Sequence, residues 1–298
     1  MHQCRTILAA TDLSPRANRA ARRGAQLAHT HGSALHLALV LREAGDRDLP
    51  APLALESIRD QGEGGCADGP HALLNELASV LQRHYGVEVV RHVLYGRPRE
   101  ALISAASEVS ADLMIVGAHG AGFFREFLLG STAFHLVYRC RQPVLVVKND
   151  VFGPYESVLV GVDLSPDSGR ALSAAVTLAP RAECAAMYAV CLPYESRWAL
   201  RDRCDDVWKQ YQRKAMDVAR AELIAFLATR APDARIQPRV EYGDPAKLLL
   251  ERTWQGHADL VVVAKHGRGR LNDLDLGSVS RRIVEAAECD VLLAGADA

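Results

Sequence analysis

The sequence lacks an excess of either charge and has no long apolar run. Basic and acidic residues number 16 and 15 up to Asp150, and 19 and 21 after it. Neither half therefore carries the field that would attract a polyanion, which argues against nucleic acid as a partner. No apolar stretch approaches the ~20 residues of a membrane span, and the polar start MHQCR has no secretory apolar segment. We expect a cytoplasmic protein that does not insert into a membrane.

Paired cysteines and the common enzyme signatures are also missing. No two cysteines form a C-x-x-C pair, and an odd number of them favours reduced, mostly buried thiols. His29 and His31 have the spacing of a metal pair, but no third ligand is evident, so no metal site is predicted. The chain contains no Walker A signature, no S-G-G-x-D-S loop and no H-x-G-H. These absences disfavour any catalysis beyond slow ATP hydrolysis.

What the sequence does contain is one glycine-rich pattern written twice, 147 residues apart. It runs GAHGAGFFREFLLGST over 117–132 and AKHGRGRLNDLDLGSV over 264–279. Near the start, CRTILAATDLSP is likewise repeated as ESVLVGVDLSP in the second half, which matches Asp12 with Asp163. The chain is therefore a tandem duplication, and its 298 residues leave ~150 for each copy.

Length and periodicity predict two α/β domains, unit one at 1–150 and unit two at 151–298. Short β-branched runs alternate with helical patterns, which is the signal for a doubly wound parallel sheet of five strands in each unit. Pro238 lacks an amide donor and interrupts the third strand of unit two, so that strand should lie at a sheet edge. The resulting order is 3-2-1-4-5. The predicted strands cover residues 5–10, 34–40, 87–94, 112–117 and 143–148, then 157–163, a run ending at 190, 235–242, 259–264 and 290–295.

The apolar fifth strands would lie at the edge opposite to Pro238. They can pair with each other and join the units as a pseudo-dimer, and two such chains could associate again as a homodimer. Ser14 before Pro15, and Ser165 before Pro166, indicate helix starts after the first strands. Pro98 and Pro245 indicate the helices that lead to the fourth strands, and 206–227 reads as helical. The glycine- and proline-rich segment 42–70 reads as a long loop or lid.

The duplicated motifs fall where an open parallel sheet binds its ligands. Such ligands lie beyond the carboxyl ends of the strands, where the strand order reverses, here between strands one and four. Asp12 follows strand one and Gly117 ends strand four, so the two residues should form the lips of one crevice. The helix that begins near Gly130 offers free amides and a positive dipole end to a phosphate. A mononucleotide is the ligand that this arrangement favours.

At these residues the chain resembles the universal stress proteins in their tandem two-domain form, over nearly its whole length. In the ATP-binding branch of that family, G-x2-G-x9-G-[ST] holds phosphates and ribose. An acidic residue after strand one contacts the nucleoside, and main chain at the end of strand two meets adenine. The resemblance implies ATP as ligand, with or without Mg²⁺, and a stress role. In unit one it nominates Thr11, Asp12, Val40, Gly117, His119, Gly120, Gly130, Ser131 and Thr132.

Unit two departs from the pattern because Ala264 replaces its first glycine. Glycine at 264 would matter only if the backbone there had positive φ or closely approached a phosphate. Whether this unit binds nucleotide therefore stays open. The corresponding candidates are Asp163, Val190, Gly267, Gly277, Ser278 and Ser280, where Ser280 supplies a hydroxyl that unit one lacks. Lys265, Arg268 and Arg270 could hold an anion or be solvated.

Three functions stay open on the sequence alone. The first is an ATP-binding stress-response or regulatory protein, with nucleotide held mainly in unit one. The second is a slow ATPase or nucleotidyl transferase, for which Asp12 is the one carboxylate that we place in the crevice. The third is a protein-interaction module without nucleotide, a reading that Ala264 supports for unit two only.

Overall fold

A computed structural model describes residues 4–41, 69–118, 129–191, 205–232, 234–267 and 276–295. In chain order, strands β1 to β10 are Thr6–Thr11, Ala34–Leu41, Val89–Tyr95, Leu113–Gly117, Val144–Val147, Ser157–Val162, Glu183–Val190, Ile236–Tyr242, Leu260–Ala264 and Asp290–Ala294. Helices α1 to α8 are Ala17–His31, Pro70–Tyr85, Pro98–Glu108, Ser131–Arg139, Pro166–Leu178, Asp205–Arg230, Pro245–Trp254 and Ser278–Ala286.

All of these strands belong to one sheet, in the order β3-β2-β1-β4-β5-β10-β9-β6-β7-β8. Each unit contributes five parallel strands in the predicted order 3-2-1-4-5. The strand that contains Pro238 is β8, and it lies at the outer edge, where the missing amide costs no ladder hydrogen bond.

The two units meet through the antiparallel pairing of β5 with β10, as predicted for the fifth strands. Leu145 faces Leu292, and Val144 and Val146 face Leu293 and Val291. Leu145 and Leu292 are equivalent residues of the duplication, so the axis that relates the units passes between them. The paired residues are fully buried apolar side chains. The edge amides and carbonyls of both fifth strands are therefore satisfied inside the molecule.

Helices cover both faces of this sheet. One core contains side chains from α1, α2, α5 and α6, and the other contains side chains from α3, α4, α7 and α8. Each core draws on both units, so the sheet and its two helical layers form a continuous three-layer structure. In each unit the carboxyl ends of the central strands lie along one edge of the three-layer structure, between the two helical layers, where a ligand can approach.

The helix starts follow the predicted signals with one shift. Ser165 caps α5 by accepting a hydrogen bond from the Ser168 amide at 3.2 Å, and Pro166 is the first helical residue. In unit one, α1 begins at Ala17 rather than at Pro15, yet the Ser14 hydroxyl still accepts from the Ala17 amide at 3.2 Å. Helix α2 was not predicted. The predicted loop at 42–70 lies outside the described residues, except for its last two positions.

The thiols agree with the expectation except at one position. Four cysteines are buried as free thiols, namely Cys4, Cys140, Cys184 and Cys289, and burial raises the pKa of Cys4 and Cys289 to about 12. Cys191 directly follows β7, is in no disulfide and is exposed, and its thiol donates to the Gly243 carbonyl at 3.0 Å. Cys66 and Cys204 lie outside the described residues.

A buried charged cluster fixes the linker to both units. The Arg23 guanidinium of α1 lies 4.0 Å from the centre of the Tyr155 ring, and its Nε is 3.5 Å from Oδ2 of Asp290 in β10. The Tyr155 hydroxyl donates to the same oxygen at 2.6 Å. Oδ1 of Asp290 accepts from the amides of Lys148 and Asn149. Burial raises the pKa of Asp290, and these donors and Arg23 oppose that shift.

We predict that Asp290→Ala destabilises the protein by about 3–5 kcal/mol, because it leaves the Arg23 charge buried without its carboxylate. Urea unfolding followed by circular dichroism measures the change. Glu251→Ala is the control, since it removes an exposed pair with Lys247 and should cost at most about 1 kcal/mol. Equal losses in the two variants would contradict a role for the cluster.

Candidate functional site

Each unit has a crevice between its first and fourth strands. In unit one, β1 is paired with β2 on one side and β4 on the other, so the strand order reverses there. Asp12 directly follows β1, and Gly117 is the last residue of β4. The structure therefore brings to one edge of the sheet two residues that lie far apart in the sequence.

The turn after strand one is strained in the same way in both units. Leu13 has φ 65° and Leu164 has φ 63°, which leucine rarely adopts. The preceding carboxylates hold these turns, because Oδ1 of Asp12 accepts from the Ser14 amide and Oδ1 of Asp163 accepts from the Ser165 amide, each at 3.0 Å. In unit one the buried Thr11 hydroxyl also accepts from the Leu13 amide at 2.9 Å. The same positive-φ turn therefore follows the first strand in both units.

The two carboxylates differ in their side-chain partners. The Ser168 hydroxyl donates to Oδ1 of Asp163 and accepts from the Asp163 amide at 2.9 Å. At the equivalent place unit one has Ala17, which has no hydroxyl. Asp12 is also exposed, whereas Asp163 is half-buried. Asp12 therefore lacks the particular serine hydroxyl that donates to Asp163, and Asp12 is the more exposed of the two residues.

In the crevice of unit two, the Asp163 carboxylate also lies beside Gly267 of the glycine-rich motif. A β-carbon placed on Gly267 would lie 2.7 Å from Oδ2 of Asp163, so any side chain at 267 would collide with the carboxylate. Gly267, the second glycine position of the motif, and the acidic residue after strand one are therefore neighbours in unit two. This contact narrows the entrance to the crevice of unit two.

The far side of each crevice is a helix start. Gly130 is the N-cap of α4 and donates its amide to the Ala118 carbonyl at 2.8 Å, and the Gly277 amide donates to Lys265 in the same way at 2.9 Å. Ser131 and Ser278 are the exposed first residues of the two helices. Thr132 follows and is half-buried. The helix amides here suit an anion. The candidates His119 and Gly120 lie outside the described residues, as do Arg268 and Arg270.

Ala264 strains nothing in unit two. It ends β9 in ordinary strand conformation, and it is absent from the positive-φ residues of the described chain. Ser280, however, does not offer its hydroxyl to a ligand as predicted. Its side chain is buried, and the hydroxyl donates to the Ala264 carbonyl at 2.6 Å. A β-carbon added at Gly277 would lie 3.7 Å from that hydroxyl, which is an ordinary van der Waals distance. Ser280 is a residue that holds α8 against β9.

Lys265 is a buried residue at the joint between the units, whereas the sequence left open an anion contact or a solvated side chain. It is buried, and its Nζ donates to the carbonyls of Cys140 and Gln142 in unit one, at 3.3 Å for the second. Lys148 makes the reciprocal contact, since its Nζ donates to the Ala287 carbonyl of unit two at 2.6 Å. Cys140 and Ala287 are equivalent residues at the ends of α4 and α8. The two lysines therefore join the units on this face.

The predicted adenine contacts at Val40 and Val190 are not equivalent positions. The Gly243 amide donates to the Val190 carbonyl at 3.1 Å, and the equivalent Gly96 amide donates to Leu41 at 3.0 Å. Leu41 is thus the counterpart of Val190, and Val40 lies one residue earlier, on the opposite face of the sheet. A one-residue difference reverses the side of a strand residue.

A cavity of ≈ 770 Å³ adjoins the unit-one motif, with Ala118 and Leu129 in its wall. Arg16 and Arg19 line it from the start of α1. Arg19 is paired with Asp150 at 2.8 Å. Aligning TDLSPRANR with VDLSPDSGR places Arg16, Ala17 and Arg19 shortly after the acidic residue, although none of the three was predicted as a site residue. That alignment was the available signal.

Comparison with known proteins agrees with this geometry. The model of the universal stress protein family matches residues 3–148 and 154–295. A universal stress protein of Mycolicibacterium smegmatis is 30% identical over 96% of each chain, and one of Mycobacterium tuberculosis is 30% identical over 70% of this chain and 69% of the relative. A universal stress protein crystal structure from Archaeoglobus fulgidus has a TM-score of 0.66, with 19% identity over 99% of both chains. The chain belongs to the universal stress protein family, with two family domains in tandem.

Among the helices that the structure describes, none is long and apolar enough to cross a bilayer.

The buried Lys265 makes stability depend on alkaline pH. Burial lowers its pKa from 10.5 to about 8, so between these values the unfolded chain binds more protons than the folded one. Stability contributed by this group should therefore rise as pH rises from 8 to 10. We expect Lys265→Met to reduce this rise, measured by urea unfolding at pH 7.5, 8.5 and 9.5.

Lys247→Met, at an exposed lysine of α7, serves as the matched control and should leave the slope unchanged. Identical pH slopes for the wild type and Lys265→Met would show that Lys265 titrates normally.

Proposed function

We propose that this chain is a cytosolic ATP-binding regulatory protein of the stress response, with the nucleotide held mainly in unit one. In the described part of its motif, unit one has the glycines Gly117 and Gly130. Its acidic residue after β1, Asp12, is exposed. Membership of the universal stress protein family supports the stress role. The cytoplasmic location in this proposal is the one that the sequence leads us to expect.

The observation that carries the assignment to unit one is the replacement of Ser168 by Ala17. In unit two the Ser168 hydroxyl holds the Asp163 carboxylate, and that carboxylate lies against Gly267 at the crevice entrance. A nucleoside hydroxyl would have to compete with this bond. In unit one the equivalent residue is Ala17, so a ribose hydroxyl that donates to Asp12 would not compete with a serine at that position.

The remaining roles follow from the position of each group. Gly117, Gly120 and Gly130 leave backbone without side chains beside the phosphates, and the amides of Ser131 and Thr132 at the start of α4 donate to phosphate oxygens. His119 is a further donor within the motif. Thr11 supports the Asp12 turn, and main chain of Val40 or the adjacent Leu41 meets adenine. Mg²⁺ would accompany the triphosphate as its counter-ion.

Unit two serves in this proposal as the structural partner of unit one. Asp163, Val190, Gly267, Gly277 and Ser278 retain the outline of a pocket, so weaker occupancy by nucleotide is compatible with the fold. The alternatives are a slow ATPase and an interaction module without nucleotide. Released phosphate and retained nucleotide distinguish these three functions.

Gly130→Leu should abolish ATP retention by purified protein, because a large side chain at the cap of α4 fills the space of the phosphates. Gly277→Leu changes the equivalent residue of unit two and should retain at least half of the nucleotide. Filter binding with labelled ATP and a phosphate-release assay report on both variants. Normal retention by Gly130→Leu, or an equal loss in Gly277→Leu, would contradict the assignment to unit one.

Ala17→Ser places the hydroxyl of unit two into unit one. We expect it to engage Asp12 and to weaken ATP binding about tenfold, the effect of ~1.4 kcal/mol for a competing hydrogen bond. Isothermal calorimetry gives the dissociation constant. Ala17→Gly, which changes the same position without a hydroxyl, is the control for altered packing. Unchanged affinity in Ala17→Ser would remove the main support for the difference between the units.

A further inference from the structure

A pseudo-twofold axis between Leu145 and Leu292 relates the two units. Each location beside this axis, on the face of the sheet that α1 and α5 cover, therefore occurs twice. Each location lies at the amino ends of the strands, between the strands of one unit and the first helix of the other. The duplication therefore provides an internal comparison, because the same backbone carries different side chains at two equivalent places.

At the first location, large polar side chains fill the space. Arg23 and Tyr155 stack at 4.0 Å, and the Tyr155 hydroxyl donates to Asp290 at 2.6 Å. Gln26 accepts from Arg23 Nη1 at 3.2 Å, and Gly153 accepts from the same nitrogen at 2.8 Å. Arg23, Tyr155 and Asp290 are almost completely buried. This side of the axis is closed.

At the second location, small side chains replace all of these residues. The alignment around the two aspartates puts Cys4 at the place of Tyr155, Ala174 at the place of Arg23 and Thr177 at the place of Gln26. The constant spacing of the later segments puts Pro143 at the place of Asp290. Strand pairing supports both alignments, since Ile7 pairs with Leu113 as Val158 pairs with Leu260.

The consequence of these smaller side chains is a cavity of ≈ 520 Å³ between the units. Its wall is mainly apolar and includes Cys4, Leu113, Pro143, Ala174, Leu178 and Leu292. Cavities of about 300–1,000 Å³ with such walls are typical of small-molecule sites.

Two polar side chains at this cavity, Asp112 and Ser173, have hydrogen-bond partners, and Arg230 lies at its rim. The Asp112 carboxylate accepts from the amides of Arg5 and Thr6 at 2.7 and 2.9 Å, and the Ser173 hydroxyl donates to the Gly169 carbonyl at 3.1 Å. Arg230 is exposed at the end of α6. Burial and the nearby Asp112 raise the pKa of Cys4, so its thiol stays protonated. The wall thus favours an occupant without charge.

We propose that the cavity between the units is a binding site for a small, uncharged apolar molecule, separate from the nucleotide crevice. The crevice lies at the carboxyl ends of the strands, and this cavity lies at their amino ends. A ligand here would contact Leu113 and Pro143 of unit one together with Ala174 and Leu178 of unit two. Its binding would stabilise one relative arrangement of the units.

The full chain is titrated with N-phenyl-1-naphthylamine, an uncharged apolar probe whose fluorescence rises in apolar surroundings. We expect one saturable site per chain. Ala174→Phe fills the cavity and should weaken binding at least tenfold. Ile224→Phe adds the same ring on the exposed face of α6 and should leave the affinity unchanged. Gly130→Leu should bind the probe normally, which keeps this test independent of ATP binding.

Folding of each variant is checked by urea unfolding, and Ala174→Leu, with a smaller side chain, replaces Ala174→Phe if the latter does not fold. A second measurement needs no variant: saturating probe should slow alkylation of Cys4 at least threefold, while Cys184, which is buried elsewhere, serves as the internal reference. Absence of saturable binding, an unchanged affinity in a folded Ala174 variant, or an unchanged Cys4 rate would overturn the proposal.

Discussion

The antiparallel pairing of β5 with β10 is the constraint on which the rest of the molecule depends. It joins two five-stranded sheets at the edges that would otherwise expose apolar strands, and it is centred on Leu145 and Leu292. Because each unit uses this edge, the two helical layers become continuous and Lys148 and Lys265 can reach the opposite unit. The crevices between the first and fourth strands stay outside this contact.

The duplication makes the two units alike in fold, and a few buried side chains make their ligand-facing surfaces differ. Ser168 restrains Asp163, whereas Ala17 leaves Asp12 without that hydroxyl, so the two crevices differ at the residue that would meet a nucleoside. Arg23 and Asp290 close one side of the axis, while the small residues at the equivalent places open a cavity on the other. The copies therefore share one fold but present different surfaces to ligands.

Much of this architecture can be predicted from the sequence because it follows from local rules. Pro238 identified an edge strand, the apolar fifth strands identified the joint, and the paired glycine motifs identified the crevices. The incorrect predictions concern side chains whose partners lie elsewhere in the fold. Lys265 is next to a phosphate-type motif in the sequence, yet its partners are carbonyls of the other unit. From the sequence alone the Ser280 hydroxyl is available to a ligand, but in the fold it donates to the Ala264 carbonyl of β9.

Strand register explains the Val40 and Val190 mismatch, since sequence periodicity gives the alternation of faces but not the last paired residue. We propose that the nucleotide is held mainly in unit one rather than equally in both units. Calorimetric titration of nucleotide-free protein with ATP counts the sites and gives their affinities. We expect one high-affinity site per chain. Two sites of equal affinity, or no binding at all, would contradict it.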